Sequence, residues 1–172
     1  MPTEEEKRLR RCCFAGHALK DIPLPEEEVA RWLREQIFVS VEEGYATFIT
    51  GLGMGVDLMA AKEVLELKGS VPSLHLIAME PYPAFAAKWN DEWRRLYREV
   101  RSRADIVKRA EERYTPEALD ERNRWMADHS RRMIVIYNGK GQHTGRMIEY
   151  AAQRGLDIVR YPFEGKSAEE EK

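Results

Sequence analysis

Three glycines spaced two apart, Gly51, Gly53 and Gly55, stand between a β-branched and aromatic run at residues 47–50 and an apolar helical pattern that begins at Val56. Glycine lets a backbone approach an anion closely, and the free N–H groups of a helix's first turn, at the positive end of its dipole, point at the same spot. The chemistry this spacing fits is phosphate binding. Val56 occupies the last glycine position of the dinucleotide turn G-x-G-x-x-G, and no Lys-Ser/Thr pair follows to make a nucleoside-triphosphate loop. The competing reading is a tight strand-to-helix turn with no ligand. Asp57 likewise has two roles open to it, capping the helix or touching a ligand.

Three further groups have residue types suited to a polar site. Gly16 and His17 directly follow an apolar run at 11–15, and in an open parallel sheet ligands sit outside the carboxyl ends of strands, where strand order reverses. Asn138 to Gly145 is a loop with three glycines, including Gly139, and Thr144, reading as a second anion nest or an ordinary loop. Asn123 and Arg124 precede Asp128, His129 and Ser130, and Arg124 is the guanidinium suited to a phosphate or carboxylate. The other reading of that stretch is a solvated helix face. Glu80 and Glu149 are the candidate acid/base residues. No metal site or cofactor is expected, because Cys12 and Cys13 are adjacent in a strand pattern and no further cysteine completes a cluster.

These residues need elements to hold them, and short apolar runs alternate with longer amphipathic ones from end to end, the pattern of βα units and a parallel sheet. Strands are predicted over 11–15, 46–50, 74–79, 106–108, 133–137 and 158–161. Helices are predicted over about 25–43, 56–68, 85–103, 115–129 and 146–154. Pro25 with three glutamates after it starts the first of these, and Gly44, Gly69 and Gly155 stop three of them. Trp89, Trp93, Leu96, Tyr97 and Val100 form an apolar stripe on the 85–103 helix, opposite a face rich in arginine from Arg94 to Arg103. The stripe reads as core; the arginines read as solvated, or as a nucleic-acid surface.

The chain has 172 residues, enough for one domain with a sizeable core, and residues 1–165 read as that domain with 166–172 as a charged tail. Its 28 Lys and Arg against 30 Asp and Glu leave a net charge of -2, so no global basic field attracts nucleic acid or anionic membrane. No apolar run approaches the roughly 20 residues of a membrane span, and the polar start MPTEEEKRLRR has no signal-peptide core, which points to the cytoplasm. Apolar exposure of Tyr82 and Phe85 near a sheet edge hints at a homodimer.

Taken in order, CCFAGHALKDIP, FITGLGMGVDLMAAKEVLELK, ERNRWMADHSRRMIVIYNG and IEYAAQRGLDIVRY resemble the YpsA-like branch of the SLOG superfamily, a family of unknown function with a fold like that of MoCo carrier proteins. The resemblance implies a Rossmann-like three-layer α/β/α sandwich with a six-stranded parallel sheet. It also implies a nucleotide or nucleotide-derived ligand held by Gly16, His17, Gly51, Gly53, Gly55, Asp57, Asn123, Arg124, Asn138, Gly139 and Thr144. The family usually has arginine after the Gly-His pair, where this chain has Ala18. Hydrolytic relatives carry P-G-G-x-G-T-x-x-E; here the loop is N-G-K-G-Q-H-T-G, with Glu149 five residues past Thr144. Two extra positions turn a helical side chain by roughly 200°, onto another face. The expected function is binding or sensing of a nucleotide-derived phosphorylated small molecule. The alternatives are a phosphoribohydrolase acting on nucleoside monophosphates through Glu80 or Glu149, and a DNA-binding protein.

Overall fold

The computed structural model describes residues 1–163. Six strands, β1 (Arg11–Gly16), β2 (Thr47–Thr50), β3 (His75–Glu80), β4 (Ile106–Arg109), β5 (Arg132–Ile136) and β6 (Asp157–Arg160), form one sheet of order β4-β3-β2-β1-β5-β6. All five pairings are parallel. Strand order runs outward from β1 in one direction through β4, then resumes on its other side with β5, so the reversal lies between β1 and β5. In open parallel sheets the carboxyl ends of the strands at such a reversal are where ligands sit. This is the Rossmann-like α/β sandwich that the sequence implies.

Alternation along each strand divides the core into two layers. Cys12, Phe14, Phe48, Leu76 and Ile134 face α2 (Glu26–Glu42), α3 (Val56–Lys68) and α4 (Asp91–Arg103); Cys13, Ile49, Ile77, Met133 and Val135 face α5 (Ala118–Asp128) and α6 (Gln142–Gln153). The adjacent cysteines are buried, free and on opposite faces of β1. A short α1 (Glu4–Arg8), capped by the Thr3 hydroxyl, precedes the sheet and was not visible in the apolar pattern because it buries nothing.

Three helix starts differ from expectation, the smallest difference being that of α5, which begins at Ala118 after a turn at Pro116 and Glu117 instead of at about Thr115. α4 begins at Asp91 instead of Phe85, because the Asn90 side chain accepts the Trp93 N–H at 3.0 Å and the chain before it, containing Pro81 and Pro83, forms turns. Trp89 thus joins the core from a turn, edge-on to Phe85 and Tyr97. α6 begins at Gln142, four residues early, after Gly141 with φ of 111°. Gly16 ends β1 instead of following it, and Thr144 lies inside α6 instead of opening it. Tyr82 and Phe85 are not exposed: they are half-buried and pack edge-to-face on each other, with Tyr114, 67% exposed, on the outer side of Tyr82. The apolar patch that suggested a homodimer is a packed aromatic cluster. The arginine face of α4 is also more engaged than expected, since Arg94 pairs with Asp91, Arg101 with Glu80 and Arg103 with Glu99. The predicted domain end at 165 and the tail 166–172 lie outside the described residues. Among the described residues no helix is long and apolar enough to cross a membrane.

Candidate functional site

The turn after β2 is held by side chains of its own segment. The Thr50 hydroxyl donates to the Asp57 carbonyl at 2.9 Å and accepts the Leu52 N–H at 3.2 Å. Leu52 takes a φ of 64°, a left-handed conformation uncommon for a side chain of its size, and is fully buried. The glycines are present chiefly because of what stands beside them. A Cβ on Gly53 would lie 2.7 Å from Asp57 Oδ2, and one on Gly51 would lie 3.0 Å from the same oxygen and 3.1 Å from Arg122 Cζ. Gly55, at φ of 108°, passes so close to the β1 loop that a Cβ would lie 2.3 Å from the His17 carbonyl oxygen.

Asp57 braces this turn. Its Oδ2 accepts the Gly53 N–H at 3.2 Å, while Oδ1 is buried with no hydrogen-bond partner among the described residues. Burial pushes the carboxyl pKa up to about 6, against the opposing pull of Arg122 and the Gly53 N–H. The Arg122 guanidinium, only 7% exposed, donates from Nη1 to the Gly51 carbonyl at 2.8 Å and from Nε and Nη2 to Asn123 Oδ1 at 3.1 and 2.9 Å. Its Cζ sits 5.5 Å from the centre of the Phe85 ring, a cation–π contact. The turn is thus backed by a buried cation and a buried acid on either side of Gly51, with the amino end of α3 opening at Val56.

Arg122 backs the turn, whereas the predicted Arg124 lies two positions on and about 200° around the helix. Arg124 is exposed. The signal was present: Ala118, Arg122 and Met126 recur every four residues, and all three are buried on one face of α5.

The loops after β1 and β5 are tied to each other and to this turn. The His17 carbonyl accepts the Val56 N–H at 3.2 Å, and His17 Nε2 accepts the Asn138 N–H at 3.1 Å. An accepting Nε2 puts the proton on Nδ1 and makes the ring neutral; burial, the leading influence, lowers its pKa in the same sense. The ring stacks on Tyr137 with centroids 5.0 Å apart. Asn138 donates from Nδ2 to the Asp21 carbonyl at 3.1 Å and accepts the Lys140 N–H at 2.9 Å. Gly139 is exposed beyond it with φ of 92°, and Thr144 is half-buried in the first turn of α6. Gly16, His17, Gly55, Asn138 and Gly139 therefore belong to one cluster of loops at the carboxyl ends of β1 and β5, with Gly51, Gly53, Asp57 and Arg122 beside them at β2.

The two candidate acid/base residues are elsewhere. Glu80, 1% exposed, accepts from the Tyr97 hydroxyl, from Arg109 Nε at 2.7 Å and from Arg101 Nε at 3.2 Å. Burial alone would raise its pKa; those three donors instead hold it below the ordinary value, so it is a structural anion tying α4 to β3 and β4. Glu149 is exposed on α6 and faces Arg124 across a cavity between α5 and α6, as the displaced spacing implies. Asn123 is the hinge between the two regions: its Oδ1 holds Arg122, while the residue itself lines the α5–α6 cavity.

The chain belongs to the YspA SLOG family (YpsA), whose sequence model matches residues 26–163. It is 32% identical over 136 residues to a UPF0398 protein of Ligilactobacillus salivarius, covering 74% of each chain. It is 29% identical over 108 residues to a UPF0398 protein of Levilactobacillus brevis, covering 62% of this chain and 57% of that one. Its fold matches DNA processing protein A (DprA) of Streptococcus pneumoniae with a TM-score of 0.64 at 16% identity, over 92% of this chain and 52% of that one. The same TM-score of 0.64, at 15% identity, relates it to DNA processing protein A of Helicobacter pylori, described for its single-stranded DNA binding mode; 93% of this chain and 68% of that one are covered. The chain thus spans about half of the S. pneumoniae protein.

Proposed function

We propose that this SLOG-family chain binds a nucleotide or nucleotide-derived phosphorylated small molecule at the carboxyl edge of the sheet beside the β1 and β5 loops, with the phosphate against the Gly51–Gly55 turn. The observation that carries the reading is the buried Arg122 guanidinium behind Gly51. A cation held this far from water strengthens the positive end of α3 at the place where three glycines keep side chains out of the way. His17, stacked on Tyr137 and bonded to the Asn138 N–H, would form one wall with Asn138, which Gly139 and the first turn of α6, with Thr144, would continue. Asp57 acts from behind, fixing the turn through Gly53.

Binding is favoured over glycosidic hydrolysis because both oxygens of Glu80 are engaged by protein donors and Glu149 lies on the α5–α6 side. A small molecule is favoured over nucleic acid because three α4 arginines already have acidic partners. Isothermal titration against a panel of nucleotides and ADP-ribose-type ligands tests the reading: a saturable isotherm is expected for at least one, lost in Gly53→Glu and weakened roughly tenfold in His17→Ala, with circular dichroism verifying both folds. Silence across the panel would sink it. Affinity for a single-stranded oligonucleotide that collapses between 50 and 200 mM salt, as expected for about 6–10 phosphate contacts, would favour the DNA alternative instead.

A further inference from the structure

We infer that the cavity between α5 and α6 is a second small-molecule site, built for an oxyanion that also carries a hydroxyl or ammonium donor a few bonds away. It has a volume of about 210 Å³, below the roughly 300–1,000 Å³ of pockets for drug-sized ligands, so its occupant is small.

The side chains around it divide by chemistry. Asn123 is 5% exposed, and its Oδ1 must face Arg122 because only an oxygen accepts from Nε and Nη2. Its amide nitrogen therefore turns the other way and has no partner among the described residues, although the residue lines the cavity. That donor is open to the cavity, where an oxygen of a bound molecule can accept from it.

Arg124 lines the same wall and makes no hydrogen bond or ion pair among the described residues. Arg146 comes from α6 and spends Nη2 on Asp120, at 3.1 Å from Oδ2, leaving Nε and Nη1 for a ligand. Asp120, the acid that would otherwise repel an anion, has its second oxygen 3.0 Å from His143 Nδ1. Two guanidiniums and one amide thus converge as donors, the set that recognises a carboxylate or phosphate.

Glu149 stands among them without a partner of its own. It repels a bare anion but accepts from a hydroxyl or ammonium on the same molecule, which sets the ligand's second requirement. Met147, 5% exposed, and the Tyr150 ring give the carbon skeleton an apolar wall. The Arg122–Asn123 pair separates this cavity from the glycine turn, so the inference stands independently of the nucleotide reading.

The test is a ¹H–¹⁵N NMR titration of the full chain with inorganic phosphate, glycerol 3-phosphate and L-serine. Saturable shifts on residues 120–124 and 146–153 are expected, with glycerol 3-phosphate or L-serine binding more tightly than inorganic phosphate. Which of the two wins identifies a phosphate or a carboxylate source. Arg124→Gln, at an exposed position that leaves the fold intact, should weaken that binding roughly tenfold or more, and Glu149→Gln should erase the preference over inorganic phosphate. Absence of saturable shifts on α5 and α6 with every probe, or shifts confined to residues 51–57 and 138–141, would overturn the inference, as would affinity unchanged by Arg124→Gln. Nucleotide binding that fails while these shifts persist would remove the glycine-turn reading alone.

Discussion

Asp57 makes stability fall with rising pH over a range where most acids do the reverse. Its carboxyl titrates near 6 in the folded chain against an ordinary value of 3.8, because burial disfavours the anion more than Arg122 and the Gly53 N–H favour it. As pH rises from 4, the unfolded chain loses this proton first. The folded chain then holds more protons, and unfolding becomes easier with each step until the folded carboxyl has also ionised. A gap of about two pKa units corresponds to about 3 kcal/mol, present as stability below pH 4 and lost by about pH 7. Asp57→Asn removes the titration while keeping a side-chain oxygen for the Gly53 N–H. The difference in unfolding free energy between variant and wild type should therefore shift in the variant's favour by about 2 kcal/mol between pH 4 and pH 7, whatever its value at either end. Urea unfolding of both proteins at half-unit pH intervals reads this directly, since every other titration cancels in the difference. A difference flat with pH, or one moving in the wild type's favour as pH rises, would refute the burial argument.

Glu80→Gln should cost about 3 kcal/mol at neutral pH, because Arg101, Arg109 and the Tyr97 hydroxyl lose the anion they share. In the wild type this contribution is lost as pH falls through the depressed Glu80 pKa, so the penalty should shrink in acid; thermal melts at neutral and acid pH check both statements. Gly16→Ala puts a Cβ 2.5 Å from Val56 Cγ2 and 2.9 Å from the Ile136 carbonyl oxygen, and should cost about 1–3 kcal/mol by overpacking. Gly44→Ala, at φ of 102° with nothing within 4 Å, should cost only the strain of its backbone, about 1 kcal/mol, and paired chemical denaturation of the two variants would expose any failure of that ordering. Gly145→Ala brings a Cβ 2.9 Å from the Tyr137 hydroxyl and should displace that ring from His17, which the His17 ring resonances in NMR would report.

The fold was legible because each βα unit carries its own local signal. The 3.6-residue apolar period of α2 and α3 and the short β-branched runs before them encode which elements form and which face is buried. Strand order was not readable in the same way: an apolar strand records that both its faces are covered, not which strand lies beside it, so the resemblance implied six parallel strands and only the structure gives the order β4-β3-β2-β1-β5-β6. The error at the start of α4 has a physical cause. At Phe85 an apolar stripe was allowed to outweigh Asn90-Asp91-Glu92, a capping residue followed by two acids, which is the stronger statement about where backbone N–H groups go unsatisfied.

The site was half legible for a related reason. A glycine pressed against a neighbour has no substitute, so Gly51, Gly53 and Gly55 declare themselves by residue type. An arginine declares nothing, because the same residue serves equally on a solvated face. Arg122 and Arg124 lie two apart in ERNRWM, and composition cannot rank them; only phase can. Arg122 shares the four-residue repeat of Ala118 and Met126, both almost fully buried, and a charge placed in an apolar repeat must be compensated inside the protein. Here the compensation is Gly51, Asn123 and the Phe85 ring, with Asp57 across the glycine, none of which is adjacent to it in sequence except Asn123. The rule that follows concerns the residues that break a pattern: in α5 the informative cation is the one that interrupts the buried face, and the one beside it on the open face marks a different surface.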